Sequence, residues 1–314
     1  MTMTDHPTIG WIGTGRMGSA LVERLLAAGY DVAVYNRTRS KTDPLASKGA
    51  RVVDSPVELA DRDIVFTMVS APKDLEAVTL GEGGVLTSPD KHPAVLIDSS
   101  TVSTAASAHI RAAANKRGSQ FLASPVSGNP SVIGAGKLTL AASGPRSTFD
   151  AVEPVLAKLG RGVTYVGDGE VARLVKICHN VLLGVVTQSL AEIVVLAEKG
   201  GVSREAFLSF LNDSVMGSTF TKYKTPAFVN LDFSPTFTMP LLRKDFDLGL
   251  AAAKEYGVAV PVTALTAEIV SAAIGAGHLT DDFATLLVEE ARNSGLELVP
   301  EDVQVDDGLS ADAA

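Results

Sequence analysis

Lys176 and Asn180 stand four residues apart in the run Leu174-Val175-Lys176-Ile177-Cys178-His179-Asn180. On a helix that spacing puts both side chains on one face. Leu174, Val175, Ile177 and Cys178 surround the lysine with apolar groups. A partly desolvated amine has a lowered pKa and can gain and lose a proton near neutral pH. That is the work of a general acid or base. Taken alone, the same residues also fit a lysine snorkelling off a helix surface.

Gly13-Thr14-Gly15-Arg16-Met17-Gly18 forms a second constellation, a G-x-G-x-x-G between an expected strand and an expected helix. Gly13 permits a tight turn, Gly15 lets backbone approach a pyrophosphate, and Gly18 lets helix and strand pack closely. Arg16, Met17 and Gly18 then offer a helix N-terminus to the phosphates. The next strand ends Tyr35-Asn36-Arg37-Thr38-Arg39, with no carboxylate at its end to bond ribose hydroxyls. Arg37 and Thr38, with Asn36, suit a 2′-phosphate instead. NADP(H) is therefore expected over NAD(H). A solvated basic loop is the alternative for Arg37.

These groups need a scaffold. Short β-rich runs at 8–13, 31–36, 51–53, 63–69, 94–98 and 120–125 alternate with helical patterns at 16–28 and 104–117. Such alternation predicts βαβ units and a mainly parallel, doubly wound sheet. Strands at 137–142 and 162–166 flank a helix at 147–159. From 170 to 199 the pattern is one long helix, apolar nearly all round, which must be covered in a bundle or by another subunit. Helices at 203–211, 219–229, 241–256, 262–275 and 282–294 follow. The expected architecture is a Rossmann-like α/β domain (1–167), an all-α domain (168–296) joined to it by the long helix, and a disordered acidic tail (297–314).

Composition narrows the function. Of 314 residues, 46% are hydrophobic and 20% charged, enough for sizeable cores. The net charge of −9 disfavours nucleic-acid binding. The one cysteine, Cys178, excludes an intrachain disulfide and a zinc site of four cysteines. No two histidines sit at ligand spacing on a helix, so no metal is expected. No membrane span or targeting segment is legible, and a cytoplasmic protein is expected. Trp11 and Cys178 are expected in the core, and His179 in packing or an interface.

Five segments, in order, resemble the β-hydroxyacid dehydrogenase family, which includes 3-hydroxyisobutyrate dehydrogenases, tartronate semialdehyde reductases and glyoxylate/succinic semialdehyde reductases. They are the G-x-G-x-M-G, Asp98-Ser99-Ser100-Thr101, Pro125-Val126-Ser127-Gly128, the stretch from Gly169 through Lys176 to Asn180, and Lys244-Asp245-Phe246-Asp247-Leu248. The resemblance runs from about residue 9 to about residue 292. It implies reversible hydride transfer between NADP(H) and a hydroxyacid–semialdehyde pair. Lys176 would be the general acid/base and Asn180 would orient the substrate or the lysine. Ser127, Gly128 and the position of Asn129 would meet the substrate carboxylate, while Met68, Val69, Thr101 and Lys244 would border the nicotinamide. The long helix, apolar nearly all round, suggests a homodimer or homotetramer. Asn129-Pro130 departs from the family's second glycine and removes a donor N–H, so an unusual substrate is expected. An imine reductase and a non-catalytic NADP-binding module are the rival readings. Imine reductases commonly place Asp or Tyr where Lys176 stands.

Overall fold

The computed structural model describes residues 6–309, and the chain divides into two compact units, Met1–Lys176 and Ile177–Ala314. The first holds a nine-stranded sheet. Strands β1 (Ile9–Ile12), β2 (Val32–Tyr35), β3 (Arg51–Val52), β4 (Ile64–Thr67), β5 (Val95–Asp98) and β6 (Gln120–Ala123) run parallel in the order β3-β2-β1-β4-β5-β6. This is the doubly wound order, and ligands bind such sheets where it reverses, at the carboxyl ends of β1 and β4. β7 (Val126–Ser127), β8 (Thr139–Ser143) and β9 (Gly162–Gly167) extend it beyond β6, with β8 antiparallel to β6 and β7.

Both sheet faces are covered, so the strands are apolar without strict alternation. Ile9 and Trp11 of β1 enter one core and Ile12 the other. Trp11 is fully buried as expected and stacks on Phe66 at 4.9 Å. The helices of this unit are α1 (Arg16–Ala27), α2 (Asp43–Ala46), α3 (Pro72–Thr79), α4 (Thr104–Lys116), α5 (Pro130–Gly134) and α6 (Arg146–Leu156). Three of them, α2, α3 and α5, lie where no helix is expected from the sequence pattern.

Helix α7 (Val171–Lys199) begins in the first unit and ends in the second. The division falls inside it, after Lys176, because Ala172 and Arg173 are buried in the first unit. Its most apolar 18 residues have mean hydropathy 1.8, enough by length and composition to cross a bilayer. Two of its buried polar residues bond to other helices of the second unit: Gln188 Nε2 donates to Glu290 of α12 (3.3 Å) and Asn180 Nδ2 to Asp245 of α10 (2.5 Å). Within the chain 44% of that apolar stretch is buried.

The second unit is helical: α8 (Arg204–Asp213), α9 (Thr219–Val229), α10 (Met239–Tyr256), α11 (Pro261–Gly275) and α12 (Leu286–Asn293). The close approach of α7 and α10 depends on two glycines. A Cβ on Gly184 would lie 2.5 Å from the Phe246 ring, and one on Gly249 would lie 2.4 Å from Val181. The tail expected to be disordered from 297 is placed as far as Leu309. Arg204, wholly buried, donates to the Val299, Phe228 and Val229 carbonyls and pairs with Glu198 and Glu301. Leu298 and Val305 pack on the core of α8 and α9. The few apolar residues of an acidic segment suffice when one buried arginine gathers the backbone. Residues 310–314 lie outside the described part.

Candidate active site

The glycine loop follows β1 and opens α1. Gly13 has φ +101°, and a Cβ there would meet the Met68 carbonyl at 2.2 Å. A Cβ on Gly18 would meet the Gly13 carbonyl at 2.0 Å, and the same carbonyl accepts from Trp11 Nε1 at 3.0 Å. Gly13 and Gly18 therefore close the turn against β4 and α1. Gly15 differs: nothing lies within 4 Å of a Cβ built there, and no side chain caps α1. The loop is closed on its protein side and open over the helix N-terminus, which fits the diphosphate of a dinucleotide.

Asn36, at the end of β2, accepts from Thr14 N (3.0 Å) and donates to the Thr38 carbonyl (2.9 Å). It thus ties the glycine loop to the loop after β2. Arg37 is 84% exposed and pairs with Asp74 of α3 (2.9 Å). Arg39 pairs with Asp54. Thr38 is exposed. Met68 and Val69 follow β4 half-buried, and Thr101 lies half-buried beyond β5.

A buried polar network joins these strand ends to the start of α7. Arg173 donates to Asp98 Oδ2 (2.5 Å), the Asp98 carbonyl (3.2 Å), the Ser100 carbonyl (2.6 Å) and Ser107 Oγ (3.1 Å). Asp98 Oδ1 accepts from Thr67 Oγ1 (2.7 Å) and Ser100 Oγ (2.6 Å). Ser100 Oγ in turn accepts from Val69 N at 2.9 Å. Sequence reasoning missed Arg173. An arginine in the first turn of an apolar helix, where the dipole disfavours it, was the available signal.

Ser127 ends β7, paired with Thr139 of β8, and Gly128 follows with φ +143°. A Cβ on Gly128 would meet Leu138 at 2.8 Å and Val132 at 2.9 Å. Asn129 is buried and caps α5, its Oδ1 accepting from Val132 N at 3.0 Å, with Pro130 in the first turn. The Asn-Pro pair that departs from the family pattern is thus a helix start, since Asn is favoured at N-cap and Pro at N1.

Lys176 is half-buried on α7. Asn180, one turn on, is buried in the second unit, and its Nδ2 donates to Asp245 Oδ2 of α10 at 2.5 Å. Asn180 Oδ1 and His179 Nδ1 are 3.0 Å apart. Asp245 is buried and lies in the second turn of α10, beside Lys244 Nζ at 3.5 Å. It is no helix-start charge, because α10 begins at Met239. Cys178 is exposed, not a core thiol as expected, because the helix face it occupies points outward. Among the described residues no group of three or more His, Cys, Asp or Glu could hold a metal ion.

Two family models match the chain. The NAD binding domain of 6-phosphogluconate dehydrogenase matches residues 8–167, and the NAD-binding domain of NADP-dependent 3-hydroxyisobutyrate dehydrogenase matches 167–288. The chain is 35% identical to a probable 3-hydroxyisobutyrate dehydrogenase-like protein of Arabidopsis thaliana, over 86% of this chain and 88% of that one. A Mycobacterium tuberculosis 3-hydroxyisobutyrate dehydrogenase, solved with L-serine, superposes with a TM-score of 0.78 at 28% identity, covering 90% of this chain and 99% of that one. An imine reductase from Myxococcus stipitatus, in complex with NADP+, reaches a TM-score of 0.58 at 26% identity over the same shares.

Proposed function

From a chain that belongs to the β-hydroxyacid dehydrogenase family, we propose an NADP(H)-dependent dehydrogenase that interconverts a β-hydroxyacid-like alcohol and its semialdehyde, with Lys176 as general acid/base. The nicotinamide, when bound, supplies or accepts the hydride. The observation that carries the reading is the Lys176–Asn180 pair: two polar groups on one face of an apolar helix, the second locked by Asp245. In reduction Lys176 Nζ gives a proton to the oxygen that gains negative charge; in oxidation it takes the hydroxyl proton. Asn180 holds the substrate or the lysine in line.

The open backbone at Gly15 receives the diphosphate, with Arg16 and Met17 in the first turn of α1. Arg37 and Thr38 receive the 2′-phosphate; β2 itself ends without a carboxylate, and Arg37 exchanges its pairing with Asp74 for the phosphate. Asn36 shapes this end. Met68, Val69, Thr101 and Lys244 line the nicotinamide. Ser127, Gly128 and the Nδ2 of Asn129 meet the substrate carboxylate. Asn129 spends its Oδ1 on α5, so its amide is a fixed donor where the family pattern has glycine, and a substrate with a further acceptor suits it. Exposed apolar residues along α7, including Leu182 (61%) and Leu196 (67%), favour a homo-oligomer.

The test is nicotinamide absorbance with NADPH and NADH against hydroxyacids, semialdehydes and cyclic imines. Turnover of a semialdehyde with NADPH, and an Arg37→Asp variant that loses the NADPH preference, support the reading. Turnover confined to cyclic imines, or NADPH binding without turnover of any substrate, overturns it.

A further inference from the structure

Arg173 and Asp98 form a buried ion pair, 1% and 0% exposed, in the turn just before Lys176. The pair is costly. A guanidinium in the first turn of a helix is opposed by the dipole, and both ions lose their hydration. An apolar pair of similar volume would hold the same segment about as well. What an arginine adds is a rigid planar fork that fixes direction. Here the fork holds four acceptors at once, at the end of β5, in the loop that follows it and on α4.

Other bonds hold the same turn. Arg111 donates to Glu170 Oε1 (2.5 Å) and to the Gly169 carbonyl (2.7 Å). Ser143 Oγ donates to the Gly169 carbonyl (2.8 Å) and accepts from Ala172 N (3.1 Å). These anchor α7 to α4 and β8. Of these, the Arg173 network leads on to the loops expected to border the nicotinamide: Asp98 and Ser100 carry it to Val69 N, and Thr101 follows Ser100 directly.

We propose that Arg173 is a positioning residue for Lys176: through Asp98 and Ser100 it fixes the rotation and depth of the first turn of α7, and so the direction of the lysine one turn on, relative to Val69 and Thr101. The proposal rests on the acid/base reading of Lys176. It assigns Arg173 no contact with substrate or cofactor. Displacement of a reacting group by about 1 Å costs on the order of 100-fold in rate, which sets the scale of effect.

The test uses the full-length protein and two variants. Arg173→Lys keeps the charge without the fork. Arg173→Met with Asp98→Asn removes both charges and leaves no lone buried carboxylate. NADPH affinity is read by fluorescence titration, kcat and KM by absorbance. The Lys176 environment is read by ¹³C NMR of reductively methylated protein, its resonance assigned by its loss in Lys176→Ala. The double variant is expected to lose about 10- to 100-fold in kcat, with NADPH affinity and substrate KM within about threefold and the Lys176 resonance or its titration displaced. Arg173→Lys is expected to fall between it and wild type, and decides the matter should the double variant not fold. An unmoved Lys176 resonance overturns the proposal, whatever happens to kcat. A displaced resonance with full turnover, while Lys176→Ala also turns over, upholds the positioning and overturns the acid/base reading.

Discussion

Asn180 donates its amide to Asp245 at 2.5 Å, and both side chains are buried where α7 and α10 come together. The glycines at 184 and 249 permit that approach. A bond to a charged acceptor contributes about 1.5–3 kcal/mol. Asp245→Ala is therefore expected to lower unfolding free energy by about that amount, read from urea denaturation. It should also lower kcat more than NADPH affinity, since Asn180 would lose its fixed orientation. Unchanged kcat in a folded Asp245→Ala protein would remove Asn180 orientation from the account.

Gly15 and Gly18 separate stability from binding. Gly15→Ala meets nothing within 4 Å, so its melting temperature is expected to match wild type. Its methyl group would occupy the space proposed for the diphosphate, and NADPH affinity is expected to fall by about tenfold or more, roughly 1.4 kcal/mol. Gly18→Ala strikes the Gly13 carbonyl and is expected to lose both stability and affinity. Calorimetry and fluorescence titration on the same samples check both. Full NADPH affinity in Gly15→Ala would place the diphosphate elsewhere.

Lys224 and Asp282 form a buried pair at 2.5 Å in the second unit, away from every proposed role. Lys224→Met leaves Asp282 without its counter-ion and is expected to cost about 3–5 kcal/mol. Burial holds the Lys224 ammonium below the ordinary lysine range, against the opposing pull of Asp282. The unfolded chain then keeps this proton to higher pH than the folded one. Stability is expected to rise with pH between the folded value and the ordinary lysine value. Urea midpoints across that alkaline range, compared with Lys224→Met, isolate the increment. Parallel curves for the two proteins would contradict it.

Local features were legible wherever they repeat. Alternating apolar runs gave the parallel strands, and Gly13, Gly15 and Gly18 gave the turn between β1 and α1. The short helices were not legible by periodicity, because four to eight residues span too few turns to repeat a pattern. Their signals were capping signals: Asn129-Pro130 for α5 and Pro72 for α3. Pairings distant in sequence were hidden altogether. Nothing local marks Asp245 as the partner of Asn180 or Asp98 as the partner of Arg173, since the folded helices and strands create both contacts. The tail was misjudged because its composition is that of a disordered segment, while buried Arg204 and half-buried Asn230 tie it to α8 and the end of α9.

The proposed reaction turns on proton transfer by Lys176. Its most direct test is single-turnover oxidation of bound NADPH by a semialdehyde, followed at the nicotinamide absorbance band, in wild type and Lys176→Ala. The rate constant is expected to fall by about 100- to 10,000-fold in Lys176→Ala, with NADPH still bound tightly and partial recovery on adding a small primary amine. A Lys176→Ala protein that oxidises NADPH at the wild-type rate would contradict it.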